Sequence, residues 1–102
     1  MWTFKIMVLP YFVEFIGTLI IVYALLLTDT NPAVMGIVYF AVYTVAGEMA
    51  SGTFNPLGAV AYYMIGRMSL QELGFNIAAQ MFAMQAAVIS FLPIKVFIGD
   101  LY

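Results

Sequence analysis

The stretch Gly47-Glu-Met-Ala-Ser-Gly-Thr-Phe-Asn-Pro-Leu-Gly-Ala-Val-Ala-Tyr-Tyr-Met-Ile-Gly66 decides the fold. A polar, glycine-bearing loop, Ser51 to Asn55, is followed by Pro56 and an apolar run that stops at Gly66. A helix of about eleven residues is roughly 16 Å long, about half of a hydrocarbon core. The spacing predicts a re-entrant loop and half-helix over 51–66, with Asn55 and Pro56 at a buried tip. The flanking segments are long enough to cross a bilayer and hold that tip at membrane depth.

The chain has 102 residues, 66% hydrophobic and 8% charged. A soluble domain carries about a quarter charged residues, so this chain cannot cover a water-facing surface with polar groups. The composition predicts an all-α, multi-pass integral membrane protein in contact with the lipid bilayer, one domain over 1–102. A net charge of −2 leaves no footprint for nucleic acid. With no Cys and no His, disulfides, thiolate or imidazole metal sites and His-based catalysis are excluded. No Ser-His-Asp set, phosphate loop or metal-ligand spacing is present, so no enzymatic activity, cofactor or metal is expected. One Lys, an apolar segment interrupted by Glu14, and no small-residue cleavage site before Asp29 argue against a cleaved signal peptide.

Working outward, residues 1–7 read as interfacial, with Trp2 and Lys5 as headgroup anchors. Pro10 suits a first helical turn, and 8–28 reads as the first transmembrane helix. Thr28-Asp-Thr-Asn-Pro32 is a turn cluster. Its Asn31-Pro32-Ala33 is a helix start, Asn as cap and Pro at the first position. The second transmembrane helix covers 33–49. After the half-helix, Arg67 places a cation where the helix dipole favours one. Ser69-Leu-Gln-Glu72 is a capping box that opens the third transmembrane helix, 70–92. Gly74, Ala78, Ala79, Ala83, Ala86 and Ala87 permit close packing along it. Pro93 is expected to end it, leaving 93–102 as a tail with Lys95 and Asp100 at the interface. Lys5 and Arg67 fall on one side and Lys95 on the other, which favours a cytoplasmic N-terminus. Two cations against one is a thin margin, and it also fits insertion both ways.

A carboxylate in an apolar helix is expensive unless paired. Glu14 reads either as a proton or ion site or as an acceptor for backbone N–H groups of the irregular loop, which must be satisfied internally. The structural role is favoured. Asn55, at the start of a half-helix, can offer amide donors to a neutral polar solute, reinforced by the positive end of the helix dipole; the plainer reading is an N-cap. Gln80 falls near the depth expected for the loop, and Gln85 is a second polar group on the same helix. The Met, Phe and Tyr residues read as packing and lipid contact.

Val13-Glu14-Phe15-Ile16-Gly17-Thr18 resembles the opening helix of the aquaporin and glycerol-facilitator family. Ser51-Gly52-Thr53-Phe54-Asn55-Pro56 resembles its first pore loop, Ser-Gly-x-x-x-Asn-Pro-Ala. Gly66-Arg67-Met68-Ser69 and Ala79-Gln80 resemble the link and third helix that follow. The likeness covers nearly the whole chain, and it implies half a protein: three transmembrane helices plus one re-entrant half-helix, the first of the family's two inverted repeats. It implies that Glu14 and Gln80 brace the loop and that Asn55, with Ser51, Gly52, Thr53, Phe54, Pro56 and Leu57 around it, faces the permeating molecule. The sequence departs from the pattern at Leu57, where the triplet ends in Ala. The loop is one residue shorter before Asn55 and has no His, and Gly58 adds one residue after the triplet. The Arg that follows the triplet of the second repeat is absent.

One half-helix cannot make the family's pore. The leading expectation is a channel half-subunit for water or small neutral solutes, completed by an inverted second copy (a homo-oligomer) or by another membrane protein (a hetero-oligomer). The alternative is a pore-less scaffold subunit of a larger assembly. A plain three-helix bundle, with 56–66 lying along the interface, is the third reading.

Overall fold

The structure, a computed structural model, describes residues 2–50 and 53–98, with side chains from Met7 onward. The side chains of Trp2 and Lys5, and the residues Ser51, Gly52 and Asp100 singled out above, lie outside that description. The described residues form helices α1 (Trp2–Thr28), α2 (Pro32–Ala46), α3 (Pro56–Met64) and α4 (Leu70–Ile98), and no strand among them.

Helix α1 is central, packing against α2 on one side and α4 on the other, while α3 packs against α4. Helices α1 and α4 run parallel. Tyr11 meets Phe75 at 5.3 Å between ring centroids, Glu14 bonds Gln80, and Asp29 and Lys95 line one pocket. Two helical segments, Met7–Thr28 and Leu70–Ile98, are long and apolar enough to cross a membrane. Helix α2, at 15 residues, spans about 22 Å at 1.5 Å per residue.

Burial is inverted relative to a water-soluble domain. The largest fully buried side chains are Gln80, Glu14 and Asn76, whereas Phe97 is 92% exposed, Phe40 74% and Ile37 69%. Large apolar groups ordinarily fill the interior and charged ones almost never do unless paired. Here the apolar groups coat the outside.

The helix ends follow local chemistry. Asn31 accepts from Val34 N with its Oδ1 at 3.1 Å, and Pro32 is the first helical residue, as the turn cluster predicts. Helix α3 closes on Gly66 at φ 81°. There Arg67 N donates to Tyr62 O and Gly66 N to Tyr63 O, the paired bonds of a Schellman ending. Arg67 lies 4.8 Å from the Tyr62 ring. The capping box is reciprocal: Ser69 N donates to Glu72 Oε1 at 3.2 Å and Glu72 N to Ser69 Oγ at 3.1 Å.

Both prolines expected to bound helices lie inside them. Helix α1 begins at Trp2 and runs through Pro10, and α4 continues through Pro93 to Ile98, so 93–98 is helix and not tail. A proline deletes one N–H and crowds one carbonyl, but a long helix has an intact, cooperative ladder on either side of that defect. Helix α2 stops at Ala46, short of residue 49, and 47–50 is turn.

Gly66→Ala places a side chain in the left-handed region and is expected to lower stability by about 1–2 kcal/mol. Gly74 faces open space, so Gly74→Ala serves as the control and costs nothing. Thermal unfolding in detergent checks the pair.

Candidate functional site

The site is built on one residue of unusual backbone. Phe54, just before α3, is 3% exposed and has φ 58°, a region uncommon for a bulky side chain. In that conformation its N–H points into the helix pair. Phe54 N donates to Glu14 Oε1 at 2.5 Å, and Gln80 Nε2 donates to the same oxygen at 2.7 Å. Glu14, Gln80 and the loop, which are 40 and 66 residues apart in sequence, are thus joined at one oxygen atom.

Space for the Phe54 ring comes from Gly17, one turn of α1 from Glu14. A Cβ there would stand 2.3 Å from the ring. The ring also joins Ile21, Met35 and Val42 in the core between α1 and α2, and it meets Tyr43 edge-on at 5.4 Å. Tyr43 OH donates to Thr53 O at 2.5 Å, so α2 holds the loop as α1 and α4 do. Thr53 Oγ1 donates to Asn55 O at 2.9 Å, and Gly58 leaves the room Thr53 needs.

Asn55 caps α3. Its Oδ1 accepts from Leu57 N at 2.8 Å, which fixes the amide and leaves Nδ2 without a hydrogen bond among the described residues. Pro56 is the first residue of α3 and is exposed. Leu57, beside the free amide, is 79% exposed. The tip therefore presents an N–H₂ donor, the positive end of a helix and one bulky aliphatic group. Such a surface suits a neutral molecule with an acceptor oxygen and repels a cation.

The tip's position along the long helices follows from its partners. Glu14 lies about 10 Å along α1 from Met7, and Gln80 about 15 Å along α4 from Leu70, at 1.5 Å per residue.

Several residues that matter were not singled out in the sequence. Asn76 is fully buried, donating from Nδ2 to Glu72 O at 2.8 Å and to Met68 Sδ at 3.7 Å. It ties the 65–69 connection to α4 one turn before Gln80, and that i, i+4 amide pair was the available signal. Tyr43 completes the loop's bonding through its contact with Thr53, which the sequence had placed in the pore loop, and Thr18, 4% exposed, follows Glu14 by one turn. The side-chain oxygens Thr18 Oγ1 and Gln80 Oε1 are buried without a hydrogen bond among the described residues. Gln85 is exposed and takes no part in the brace.

Glu14→Ala removes the shared acceptor and leaves two buried donors unmatched, each costing about 1–3 kcal/mol. The loop over 50–56 should then become sensitive to protease at a temperature where the parent chain resists. Glu14→Gln keeps an acceptor and should recover much of the loss. A Glu14→Ala/Gln80→Ala double-mutant cycle read by unfolding should give a coupling of about 0.5–3 kcal/mol. No protein-family model, curated protein or solved structure matches the chain.

Proposed function

We propose that the chain is a multi-pass membrane protein in which α1, α2 and α4 cross the bilayer and α3, with the loop before it, enters from one side and returns. We propose further that it is one half of a passive channel for water or small neutral solutes, completed by an inverted second copy or by another chain. The inverted burial pattern supports the membrane reading, because lipid is the solvent in which a Phe- and Met-coated exterior is at rest. Helix α3, at nine residues, is about 14 Å long, too short for a hydrocarbon core of about 30 Å. Irregular backbone at that depth is tolerated only where protein or a water-filled cavity covers it.

One observation carries the channel reading: Asn55 Nδ2 is held in place by the cap and has no hydrogen bond among the described residues. A fixed donor at the start of a half-helix, roughly 10–15 Å into the bilayer, is expensive against lipid and useful against a solute. The likeness to the aquaporin and glycerol-facilitator half-repeat supports the same assignment. Glu14 and Gln80 are positioning residues in it, since they act on the solute only through the Phe54 backbone.

A specific observation favours the second reading, a pore-less scaffold subunit. The groove between α1 and α2, about 490 Å³, is lined by apolar side chains such as Phe12, Ile16, Ile37 and Val45, and Leu57 stands over the tip. A packing surface would look the same.

Stopped-flow permeation in reconstituted vesicles separates them. In a channel, Asn55→Asp places a carboxylate at the donor and should cut neutral-solute flux several-fold or admit cations. Leu57→Ala should raise flux of larger neutral solutes. Parent vesicles no more permeable than protein-free ones, with both variants silent, would leave the scaffold reading.

A further inference from the structure

The two ends of the molecule carry almost the same positive charge. Lys5, in the first turns of α1, and Arg67, between α3 and α4, lie at one end, together with Glu48 and Glu72. Lys95 lies at the other, in the pocket it shares with Asp29. Orientation in a membrane follows the excess of Lys and Arg near the ends of the spans, and acidic residues count for little. Here that excess is a single residue.

Depth gives a second, independent observation. A two-fold axis in the membrane plane carries a point at one depth to the same distance on the other side of the midplane. Two antiparallel copies can therefore bring the same surface together only if that surface lies near the midplane, as an isologous contact requires. The start of α3 sits level with Glu14 and Gln80, roughly 10–15 Å from one face of a core about 30 Å thick. The exposed Leu57 and the Asn55 amide beside it are thus within reach of their own counterparts on an inverted neighbour.

We propose that the chain inserts into its membrane in both orientations, and that the occupant of the exposed α3 tip is a second copy running the opposite way. The first part rests on the charge distribution and on the proposed three crossings. The second rests on the channel reading.

The absence of Cys makes the test clean. Gln71→Cys reports the Arg67 end and Ala33→Cys the Asp29 end; both positions are exposed and uncharged. Each variant is labelled in intact cells with a membrane-impermeant maleimide, before and after permeabilisation. Dual insertion predicts that each position is labelled from outside in about half of the molecules, as a one-residue bias allows. It also predicts that added cations move the distribution: one, Gln71→Lys, toward the Arg67 end inside, and two, Ala33→Lys with Phe97→Lys, toward the reverse. One position fully labelled and the other protected overturns dual insertion. So does a distribution that these charges leave unmoved.

The pairing is tested with the two oppositely biased variants. Vesicles from cells expressing either alone should lose most of the permeation, and vesicles from cells expressing both should recover it. Mixed labelling of the parent without recovery on co-expression overturns the antiparallel pair. If in addition the parent is no more permeable than protein-free vesicles, the channel reading fails while dual insertion stands.

Discussion

A backbone N–H held away from water needs an acceptor, and in this molecule the Glu14 carboxylate supplies it to Phe54. Nearly every other feature of the site follows from that bond. The chain must turn through a left-handed conformation at Phe54 to present the N–H, so the ring needs a place to go, and Gly17 on the same face as Glu14 provides it. The carboxylate is itself buried, a situation that is costly unless it is bonded, and Gln80 donates to the same oxygen. Asn76, one turn earlier on α4, fixes the connection that lets α4 arrive there. The brace draws on α1, α4 and the loop, and Tyr43 adds α2.

That brace is one-sided. It fixes the loop from behind and leaves the start of α3 open in front, where Asn55, Pro56 and Leu57 face outward. The cap explains why Asn55 is rigid: its oxygen is committed to Leu57 N, so its nitrogen has one direction to point. Rigid placement of a donor costs the protein ordering entropy in advance and, in the proposed channel, would spare a solute that cost on arrival, which is the usual benefit of preorganisation. The exposed aliphatic group beside it sets a limit on how close and how large an approaching partner can be.

The sequence announces the short helix α3 clearly. A Ser-Gly loop, Asn-Pro and an apolar run stopped by glycine are local signals, and each acts through its neighbours. Asn31, Gly66 and the Ser69–Glu72 box behave as their local chemistry dictates. Pro10 and Pro93 do not, because their effect depends on the strength of the whole helix around them, which no short window contains. Glu14 and Gln80 could be suspected as polar groups in apolar helices, since such groups need partners. That they brace the loop was the expectation; that Phe54 N and Gln80 Nε2 meet on a single Glu14 oxygen could not be read, because it depends on α1 and α4 running parallel at a fixed offset. Asn76 and Tyr43 were hidden for a related reason: an amide or phenol on a helix looks like any other until the chain it touches is in place.

The proposed function requires that the tip of α3 lie inside the bilayer and not along its surface. The depth of position 57 decides this most directly. A fluorophore on Leu57→Cys is quenched in vesicles made from lipids brominated at successive acyl carbons. Strongest quenching by bromines in the middle to lower part of the chain is the predicted result. Strongest quenching at the headgroup end, matching a label on exposed Gln71→Cys, would contradict it and place α3 along the interface.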